Sequence, residues 1–279
     1  MSSSSTTKRT VLITGGGSGI GAAVARAMAQ DGWGVCVAGR RPEPLAEVAT
    51  AVDGHAVAAD VTRAEDAHRA VDECLARLGR LDALVVCSGT GAGGAVLDQT
   101  LERWNRVIAT NLTGAFLVCQ AALPHLLKAR GAIVTVASLA GLRADPESAA
   151  YCASKAGLIM LTQCIALDYG AAGVRANCVC PGWIRTEMAD AAMDELGETR
   201  AVDREGAYRL AVADVPAGRA GDAGEAAAAV AWLASPAASY VNGAVLTVDG
   251  GAAVVDAGTL AFAPSRRTEH SAAVQPRGE

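Results

Sequence analysis

The chain has 279 residues, of which 51% are apolar and 4% aromatic, and its formal net charge at pH 7 is −5. This length and composition fit one α/β domain with a well-filled core. Because the charge is spread along the chain rather than blocked, neither a nucleic-acid partner nor an anionic membrane surface is expected. No apolar run approaches the ~20 residues of a membrane span, and no charged-then-apolar leader opens the chain, so we expect a cytoplasmic protein.

The eight cysteines sit singly in apolar surroundings. This pattern is typical of buried free thiols rather than of a disulfide framework. Cys178 and Cys180 are separated by one residue and would share one face of a strand. No CxxC or HExxH spacing accompanies the four histidines, so we expect no metal site.

Polar, low-complexity segments lie at both ends of the chain, and we expect residues 1–9 and the end of a tail over residues 252–279 to be mobile. Between them, over residues 10–251, short β-branched runs alternate with Ala-rich segments of helical periodicity. This alternation is typical of a parallel sheet. The seven predicted strands are Val11–Thr14, Val35–Ala38, Ala56–Ala59, Ala83–Cys87, Ile133–Ala137, Arg175–Cys180 and Ala244–Val248.

Helical periodicity is clearest in five of the intervening segments. With right-handed crossovers, the elements predict a single-domain Rossmann fold with a doubly wound, seven-stranded parallel sheet. Between residues 186 and 215, charged and apolar residues alternate, which predicts either a helical lid over the carboxyl edge of the sheet or an ordinary surface helix pair. The five predicted helices are Gly19–Gln30, Arg63–Leu78, Leu101–Lys128, Ala149–Tyr169 and Ala223–Leu233.

A glycine-rich turn follows the first strand and opens an Ala-rich helix. Glycines allow close backbone approach, and free N–H groups at a helix N-terminus bind a pyrophosphate. A tight turn without a ligand is the alternative, but the strand before and the helix after favour a dinucleotide site. The residues expected to contact the cofactor here are Gly15, Gly17, Ser18, Gly19, Ile20 and Gly21.

The second strand leads into Arg40 and Arg41, where enzymes that use the unphosphorylated cofactor commonly place an acid for the ribose 2′-hydroxyl. Arginine matches a 2′-phosphate in charge and fork geometry, so NADP(H) is favoured and NAD(H) is the alternative. Two solvated arginines at a strand end are the simpler interpretation. Asp60 and Val61 close the third strand, where they can contact the adenine, although Asp60 can equally cap the next helix.

Tyr151 and Lys155 are four residues apart at the start of a helical segment, so their side chains project from one face. Ser138 ends the preceding β-rich run. A nearby ammonium favours the tyrosine anion, which makes the phenol a usable general acid or base. The Ser138 hydroxyl can then donate to a substrate carbonyl oxygen as hydride arrives. Taken singly, each of these residues is more often a packing or solvated residue.

In this order the motifs resemble the short-chain dehydrogenase/reductase family, whose glycine-rich turn, Asn, Ser and Tyr-x-x-x-Lys are matched over roughly residues 8–251. The resemblance implies that Tyr151 is the proton donor to the carbonyl and that Lys155 also holds the nicotinamide ribose. It implies that Ser138 orients the substrate and that Asn111 anchors a proton-relay water. From its own position, Asn111 can equally bridge an irregularity within a long helix.

The resemblance also places residues near the nicotinamide. The family segment that passes the nicotinamide carboxamide is matched by Pro181 and Gly182, followed by Ile184 and Thr186. Near the end, Asn242-Gly243 and Val248-Asp249-Gly250-Gly251 match the last strand and turn of the family.

Two departures from the family pattern bear on the cofactor. Where the family usually has Asn-Asn-Ala-Gly after the fourth strand, this chain has Val86-Cys87-Ser88-Gly89, so that Cys87 and Gly89 would lie along the cofactor. Many relatives that use NADP(H) carry a basic residue where Ser18 stands, which counts against the NADP(H) preference.

The expected activity is hydride transfer between a nicotinamide cofactor and a neutral, partly apolar ketone or secondary alcohol. Reduction of 3-oxoacyl thioesters is the enzymatic alternative, although Arg143 and Arg185 are the few basic residues near the expected pocket mouth. A noncatalytic dinucleotide-binding sensor is the alternative of another class, and its expected sign is a broken tetrad. An epimerase or dehydratase of nucleotide sugars would need a longer substrate domain after Pro181.

The family's assembly implies a homotetramer or homodimer. In it, the long helices that correspond to Leu101–Lys128 and Ala149–Tyr169 pair across one interface, and the last strand forms a second. The segment Ala252–Ala263 is unusually apolar for a tail. It can pack on a neighbouring subunit or fold back on its own chain.

Overall fold

Seven parallel strands form the central sheet of the computed structural model, which describes residues 8–91 and 93–262. Two further strands, of two residues each, pair beside the sheet. The nine strands are β1 (Thr10–Thr14), β2 (Gly34–Gly39), β3 (His55–Ala58), β4 (Ala83–Val86), β5 (Ala132–Val136), β6 (Arg175–Pro181), β7 (Ile184–Arg185), β8 (Gly221–Asp222) and β9 (Val245–Val248).

The strand order in the main sheet is β3-β2-β1-β4-β5-β6-β9. All seven predicted strands are present, and the predicted Rossmann fold is confirmed. In β1, Leu12 packs into the core on one face of the sheet, whereas Val11 and Ile13 pack into the core on the other. Since both faces are covered, the strands consist of nearly continuous apolar residues.

Nine α-helices occur in the described part of the chain. Six of them cover the five predicted helices, because the predicted Leu101–Lys128 is divided into two, and Gly19–Gln30 and Ala149–Tyr169 have the predicted bounds. The helix that begins at Pro42 was not predicted. The helices are α1 (Gly19–Gln30), α2 (Pro42–Ala51), α3 (Ala64–Leu78), α4 (Leu101–Ile108), α5 (Gly114–Ala129), α6 (Ala149–Tyr169), α7 (Glu187–Arg200), α8 (Arg204–Ala211) and α9 (Ala223–Ala234).

Helices cover both faces of the sheet. Residues of α3, α5 and α6 build the core on one face, and residues of α1, α2 and α9 build it on the other. A π-helical turn over Ala109–Thr113 joins α4 to α5, so the predicted helix Leu101–Lys128 is one continuous rod with an irregular centre. The residue at the middle of that turn is Asn111.

Two helical stretches, Leu101–Ala129 and Ala149–Ala172, are long and apolar enough to cross a membrane. The expectation that no apolar run reaches this length is therefore wrong. Both stretches lie against the sheet, and 50% and 44% of their most apolar windows are buried inside the protein. Core helices of soluble proteins pass the same test, so length and composition are weak support for a span.

The segment after β7 forms a helical insertion with a small core of its own, built around Met193 and Tyr208. The Tyr208 hydroxyl on α8 donates to Asp190 Oδ1 on α7 at 2.7 Å. The Arg185 guanidinium lies 4.3 Å from the centre of the Tyr208 ring and binds both carboxylate oxygens of Glu205. These contacts hold the two helices together as one unit.

The described part of the tail contacts its own chain. Two 3₁₀ turns, Ala252–Val254 and Ala257–Phe262, follow β9. Arg143 Nη1 donates to the carbonyl oxygens of Ala252 and Val255, at 3.2 Å each. Residues 1–7 and 263–279, which make up most of the segments predicted to be mobile, lie outside the described residues.

Candidate active site

The residues singled out from the sequence lie along the carboxyl edge of the sheet. The strand order reverses between β1 and β4, and ligands of open α/β sheets bind outside the carboxyl ends of the strands at such a switch point. The glycine-rich turn follows β1, Gly89 follows β4, Ser138 follows β5 and Gly182 follows β6. The fold therefore brings four separate motifs to one crevice.

The glycine-rich turn is packed too tightly for side chains at Gly15, Gly16 and Gly21, and at two of these, Gly15 and Gly21, the obstacle is backbone. Gly15 has a φ of +66°, and a Cβ built there would lie 2.8 Å from the carbonyl carbon of Cys87. A Cβ at Gly21 would overlap the carbonyl oxygen of Gly15. Glycine at these two positions lets the turn approach the start of α1 and the loop after β4.

The N-terminus of α1 fits the pyrophosphate of a dinucleotide. Ser18 precedes the helix with extended backbone, its side chain accepts no capping hydrogen bond, and the first turn holds no acid. The N–H groups of the first turn are therefore free of side-chain caps and carry the positive end of the helix dipole. Thr186 closes this place from the other side, because its Cγ2 lies 3.2 Å from the position of a Cβ on Gly19.

Arg40 and Arg41, which follow β2, have different surroundings. Arg41 Nη2 donates to Ser18 Oγ and to Glu187 Oε2, at 3.1 Å each. Arg40 is exposed, and its guanidinium has no hydrogen bond or ion pair within residues 8–91 and 93–262. One arginine is thus open to an anion, whereas the other is engaged by an acid from the helical insertion.

Asp60 and Val61 are held by local contacts. Asp60 Oδ1 accepts hydrogen bonds from the N–H of Thr62 at 3.0 Å and from its hydroxyl at 2.8 Å. This carboxylate closes the turn before α3, whereas Arg63 occupies the N-cap position of the helix. The buried Val61 packs on Gly114, since its Cγ2 lies 2.8 Å from the position of a Cβ there. Contact of either residue with an adenine stays a prediction.

Tyr151 and Lys155 lie together on α6, as their spacing requires. The Lys155 ammonium is 5.6 Å from the centre of the Tyr151 ring and donates to the carbonyl oxygen of Val136 at 2.9 Å. Lys155 is only 4% exposed, so its charge acts in surroundings of low polarity. Ser138 begins the 3₁₀ turn Leu139–Gly141, and its hydroxyl oxygen accepts from the N–H of Ala140 at 3.2 Å.

Asn111 is fully buried in the π-helical turn. Its side chain makes hydrogen bonds with two other segments of the site, the loop after β4 and the helix α6. Its Oδ1 accepts from the N–H of Thr90 at 2.8 Å, and its Nδ2 donates to the carbonyl oxygen of Thr90 at 2.9 Å. Nδ2 also donates to Ser154 Oγ at 3.0 Å. The loop after β4 is thereby tied to α6, within one turn of Tyr151 and Lys155.

Gly89 brings these groups into one place. A Cβ on Gly89 would point toward Lys155 Nζ at 3.5 Å and Asn111 Oδ1 at 3.7 Å. The glycine therefore leaves the space beside both polar groups open. Two residues earlier, burial raises the pKa of the Cys87 thiol to about 12, although the charge of Lys155 opposes the shift.

The segment after β6 completes the crevice. The N–H of Gly182 donates to the carbonyl oxygen of Val248 at 3.0 Å, which ties the segment to β9. Ile184 pairs with Gly221 in the small second sheet. Thr186 caps α7, since its hydroxyl oxygen accepts from the N–H of Ala189 at 3.2 Å. Pro181 through Thr186 thus run from the sheet to the glycine-rich turn.

Several partners in the site were not found from the sequence. Thr90 and Ser154 hold Asn111, and Glu187 holds Arg41, but none of them belongs to a motif of its own. Only Ser154 had a signal, since it follows Tyr151 by three residues on the same helix. In the described part of the chain, no group of three or more His, Cys, Asp or Glu side chains is placed to hold a metal ion.

Comparison with known proteins extends the likeness to most of the chain. A family model described as "Enoyl-(Acyl carrier protein) reductase" matches residues 15–253. Meso-2,3-butanediol dehydrogenase of Serratia marcescens is 37% identical over 251 residues, which are 89% of this chain and 96% of that protein. The 3-oxoacyl-[acyl-carrier-protein] reductase FabG of Staphylococcus aureus is 34% identical over 250 residues, which are 87% of this chain and 97% of that protein.

A solved structure shows the same fold. A variant of actinorhodin polyketide ketoreductase with NADPH superimposes with a TM-score of 0.84 at 33% identity, covering 88% of this chain and 97% of that one. The matched residues run from the glycine-rich turn to the turn after β9, and so include every part of the crevice. The chain therefore belongs to the short-chain dehydrogenase/reductase family and is an NAD(P)-dependent oxidoreductase of ketones and secondary alcohols.

Proposed function

We propose that the chain reduces a small, neutral, partly apolar ketone, or oxidises the matching secondary alcohol, with Tyr151 as general acid and base and with NADP(H) as the preferred cofactor. The observation that carries this proposal is the Tyr151 ring beside the buried Lys155 ammonium. The Lys155 ammonium of this pair lies on the open side of Gly89, at the carboxyl edge of the sheet.

Tyr151, Lys155 and Ser138 have different roles in the proposed reaction. When bound, the nicotinamide supplies or accepts the hydride. In the direction of reduction, the Tyr151 hydroxyl gives its proton to the carbonyl oxygen, and the nearby Lys155 ammonium stabilises the phenolate that remains. Ser138 lies at the end of β5, where its hydroxyl can donate to the same carbonyl oxygen and stabilise the negative charge that develops there. Lys155 is also expected to hold the nicotinamide ribose.

The side of the crevice next to β1 and β2 supports the cofactor proposal. The uncapped N-terminus of α1 suits the pyrophosphate, and the exposed Arg40 suits a 2′-phosphate. Thr186, next to Gly19, is expected to lie near the nicotinamide carboxamide together with Pro181, Gly182 and Ile184. Asp60 and Val61 are expected to lie near the adenine, and Cys87 along the cofactor.

A titration that follows nicotinamide fluorescence tests the cofactor proposal. Native chain and Arg40→Asp are titrated with NADPH and with NADH, and Arg77→Asp, an exposed arginine at the end of α3, is the matched control. We expect tight NADPH binding that is lost in Arg40→Asp and kept in Arg77→Asp. A native preference for NADH would contradict the role of the arginines. Binding of neither dinucleotide would favour the noncatalytic sensor.

The arginines near the pocket mouth favour a neutral substrate. Arg143 Nη1 is bound to two carbonyl oxygens of the tail, and Arg185 is bound to Glu205. The Nη1 of Arg143 and both terminal nitrogens of Arg185 are thus already engaged, so a phosphate group of an acyl carrier would compete with these contacts for the same N–H groups. The name of the Serratia relative specifies a small neutral diol, which agrees with this choice. We also propose that residues 186–215 form a lid over the substrate.

Reduction of 3-oxoacyl thioesters is the second candidate, because FabG is among the relatives and a polyketide ketoreductase among the solved structures. The two substrate classes are separated by measuring NADPH oxidation with 2,3-butanedione and with an acetoacetyl thioester. A kcat/KM at least tenfold higher for the neutral diketone is expected. The opposite ranking would identify the chain as a thioester reductase.

For the assembled protein we propose a homotetramer in the cytoplasm. Large apolar side chains of α5 and α6 are exposed on the single chain, among them Phe116, Met160 and Leu167. Such surfaces mark interfaces between subunits. All eight cysteines are free thiols, which is usual in a reducing compartment.

A further inference from the structure

An ion pair connects the lid to the cofactor side of the crevice. Glu187 is the first residue of α7, and its Oε2 accepts a hydrogen bond from Arg41 Nη2 at 3.1 Å. The same nitrogen donates to Ser18 Oγ, at the N-cap of α1. The neighbouring Thr186 places its Cγ2 beside Gly19. The first turn of the lid therefore lies against the turn that is expected to bind the pyrophosphate.

The carboxylate of Glu187 uses donors that a 2′-phosphate would need. Carboxylates and phosphates bind the guanidinium fork through the same N–H groups, so the two compete for Arg41. A dianionic phosphate is also repelled by a carboxylate at this place, whereas a ribose 2′-hydroxyl can donate to it. In enzymes that use the unphosphorylated cofactor, an acid after the second strand accepts that hydroxyl. In this chain, the acid beside Arg41 comes from the first turn of α7.

We propose that Glu187 is a specificity-determining residue for the cofactor. By holding Arg41 and adding negative charge beside it, Glu187 limits the advantage that Arg40 and Arg41 give to NADP(H) and keeps NAD(H) usable. The inference rests on the proposed function, since it assumes that the crevice binds a nicotinamide dinucleotide. The proposal concerns how Glu187 changes the ratio of the affinities for NADPH and NADH. It holds whichever of the two cofactors the native chain binds more tightly.

The surroundings of the pair make the effect measurable without harm to the fold. The side chains of Arg41 and Glu187 are 60% and 70% exposed, and exposed ion pairs contribute little to stability. Glu187→Gln keeps the length and shape of the side chain and removes its charge. Glu198, an exposed acid on the same helix, gives the matched control Glu198→Gln.

The test compares dissociation constants for NADPH and NADH in the native chain, Glu187→Gln, Glu198→Gln, Arg41→Gln and the double variant of Arg41 and Glu187. We expect Glu187→Gln to raise the affinity ratio for NADPH over NADH by about two- to fivefold, the size that an exposed ion pair allows. Glu198→Gln should leave the ratio unchanged. In the Arg41→Gln background, Glu187→Gln should raise the ratio less than it does in the native chain, because only the direct repulsion of the 2′-phosphate is then removed. Competition of 2′,5′-ADP against NADH should show the same increase, because this probe has the 2′-phosphate but no nicotinamide.

The other outcomes overturn the inference in distinct ways. An unchanged ratio in Glu187→Gln, or an equal rise in Glu198→Gln, would show that Glu187 does not select the cofactor. An increase of undiminished size in the Arg41→Gln background would show that Glu187 does not act through Arg41. If the native chain binds neither dinucleotide, the proposed function itself fails. Binding of both with an unchanged ratio refutes this inference alone.

Discussion

Asn111 shows what one buried side chain does for the crevice. Its amide makes three hydrogen bonds, two with the backbone of Thr90 and one with Ser154 Oγ. Asn111 therefore connects the loop after β4 to the helix that carries Tyr151 and Lys155. A side chain of this kind positions the site even where it touches no substrate.

Asn111→Ala should destabilise the chain and weaken turnover together. The substitution removes the partner of the N–H and carbonyl groups of the half-buried Thr90. Leaving a buried polar group without a partner typically costs about 1–3 kcal/mol. We expect the free energy of unfolding in urea to fall by about 2–4 kcal/mol, with a fall in kcat because α6 loses its tie to the loop.

Asn105→Ala is the matched control, since Asn105 is an exposed asparagine on α4, the first part of the same rod. Its free energy of unfolding should stay within about 0.5 kcal/mol of the native value. Equal destabilisation by the two substitutions would show that the hydrogen bonds of Asn111 with Thr90 and Ser154 do not stabilise the fold.

At the scale of elements, strands and long helices were predictable because local patterns encode them. Apolar runs mark β1 and β4, since both faces of a parallel sheet are covered. The helix α2 was missed because it opens with Pro42 and Pro44, which resemble loop residues although proline at a helix start is favourable. The strands β7 and β8 have two residues each, too few to show a period.

The same difference between local sequence patterns and tertiary contacts decides which parts of the candidate site could be predicted from the sequence. Tyr151 and Lys155 are four apart on one helix, and the glycine-rich turn is continuous, so each could be predicted from spacing. The carbonyl oxygen of Val136 that holds Lys155, and Glu187 that holds Arg41, are set by tertiary contacts between distant segments. No local pattern specifies such contacts, and therefore the sequence could not reveal them.

The N-terminus of α9 gives a prediction for pH dependence. The pKa of Glu225 is lowered to about 2 by its hydrogen bond with Arg219 and, next, by the N–H of Asp222. Because the folded pKa lies below the unfolded value of about 4.3, this group stabilises the fold above that value. The contribution is lost as the pH falls from about 4.3 toward 2.

Glu225→Gln isolates the charge, since glutamine also serves at this position of a capping box. We expect the variant to unfold more easily than the native chain at pH 6, and the difference to shrink by pH 3.5. Urea unfolding at both pH values measures it, with Glu198→Gln as a control of equal charge change. A difference that stays constant between the two pH values would contradict the role of the ion pair.

At the scale of the whole molecule, the crevice joins segments that lie far apart in the chain. The side of the crevice with the glycine-rich turn and Arg40 comes from β1 and β2. Tyr151 and Lys155 lie on α6, and the helical insertion follows β7. The tail then returns to Arg143, in the loop after β5. These contacts hold the described part of the tail beside the segment that begins with Ser138 and joins β5 to α6.

The proposed assembly leads to a test on α6. Leu167 and Met160 are 83% and 58% exposed on the single chain, and burial of such side chains between subunits would stabilise an oligomer. Leu167→Glu would place an unpaired charge in that interface, which is costly. By light scattering after size exclusion, we expect the native chain to have four times the 28.1 kDa mass of one chain and Leu167→Glu to have a smaller mass.

Leu210→Glu, at an exposed leucine of α8 in the lid, is the control and should stay tetrameric. A monomeric native chain, or a Leu167→Glu variant with the native mass, would show that α6 forms no interface, and its apolar face would then need another explanation.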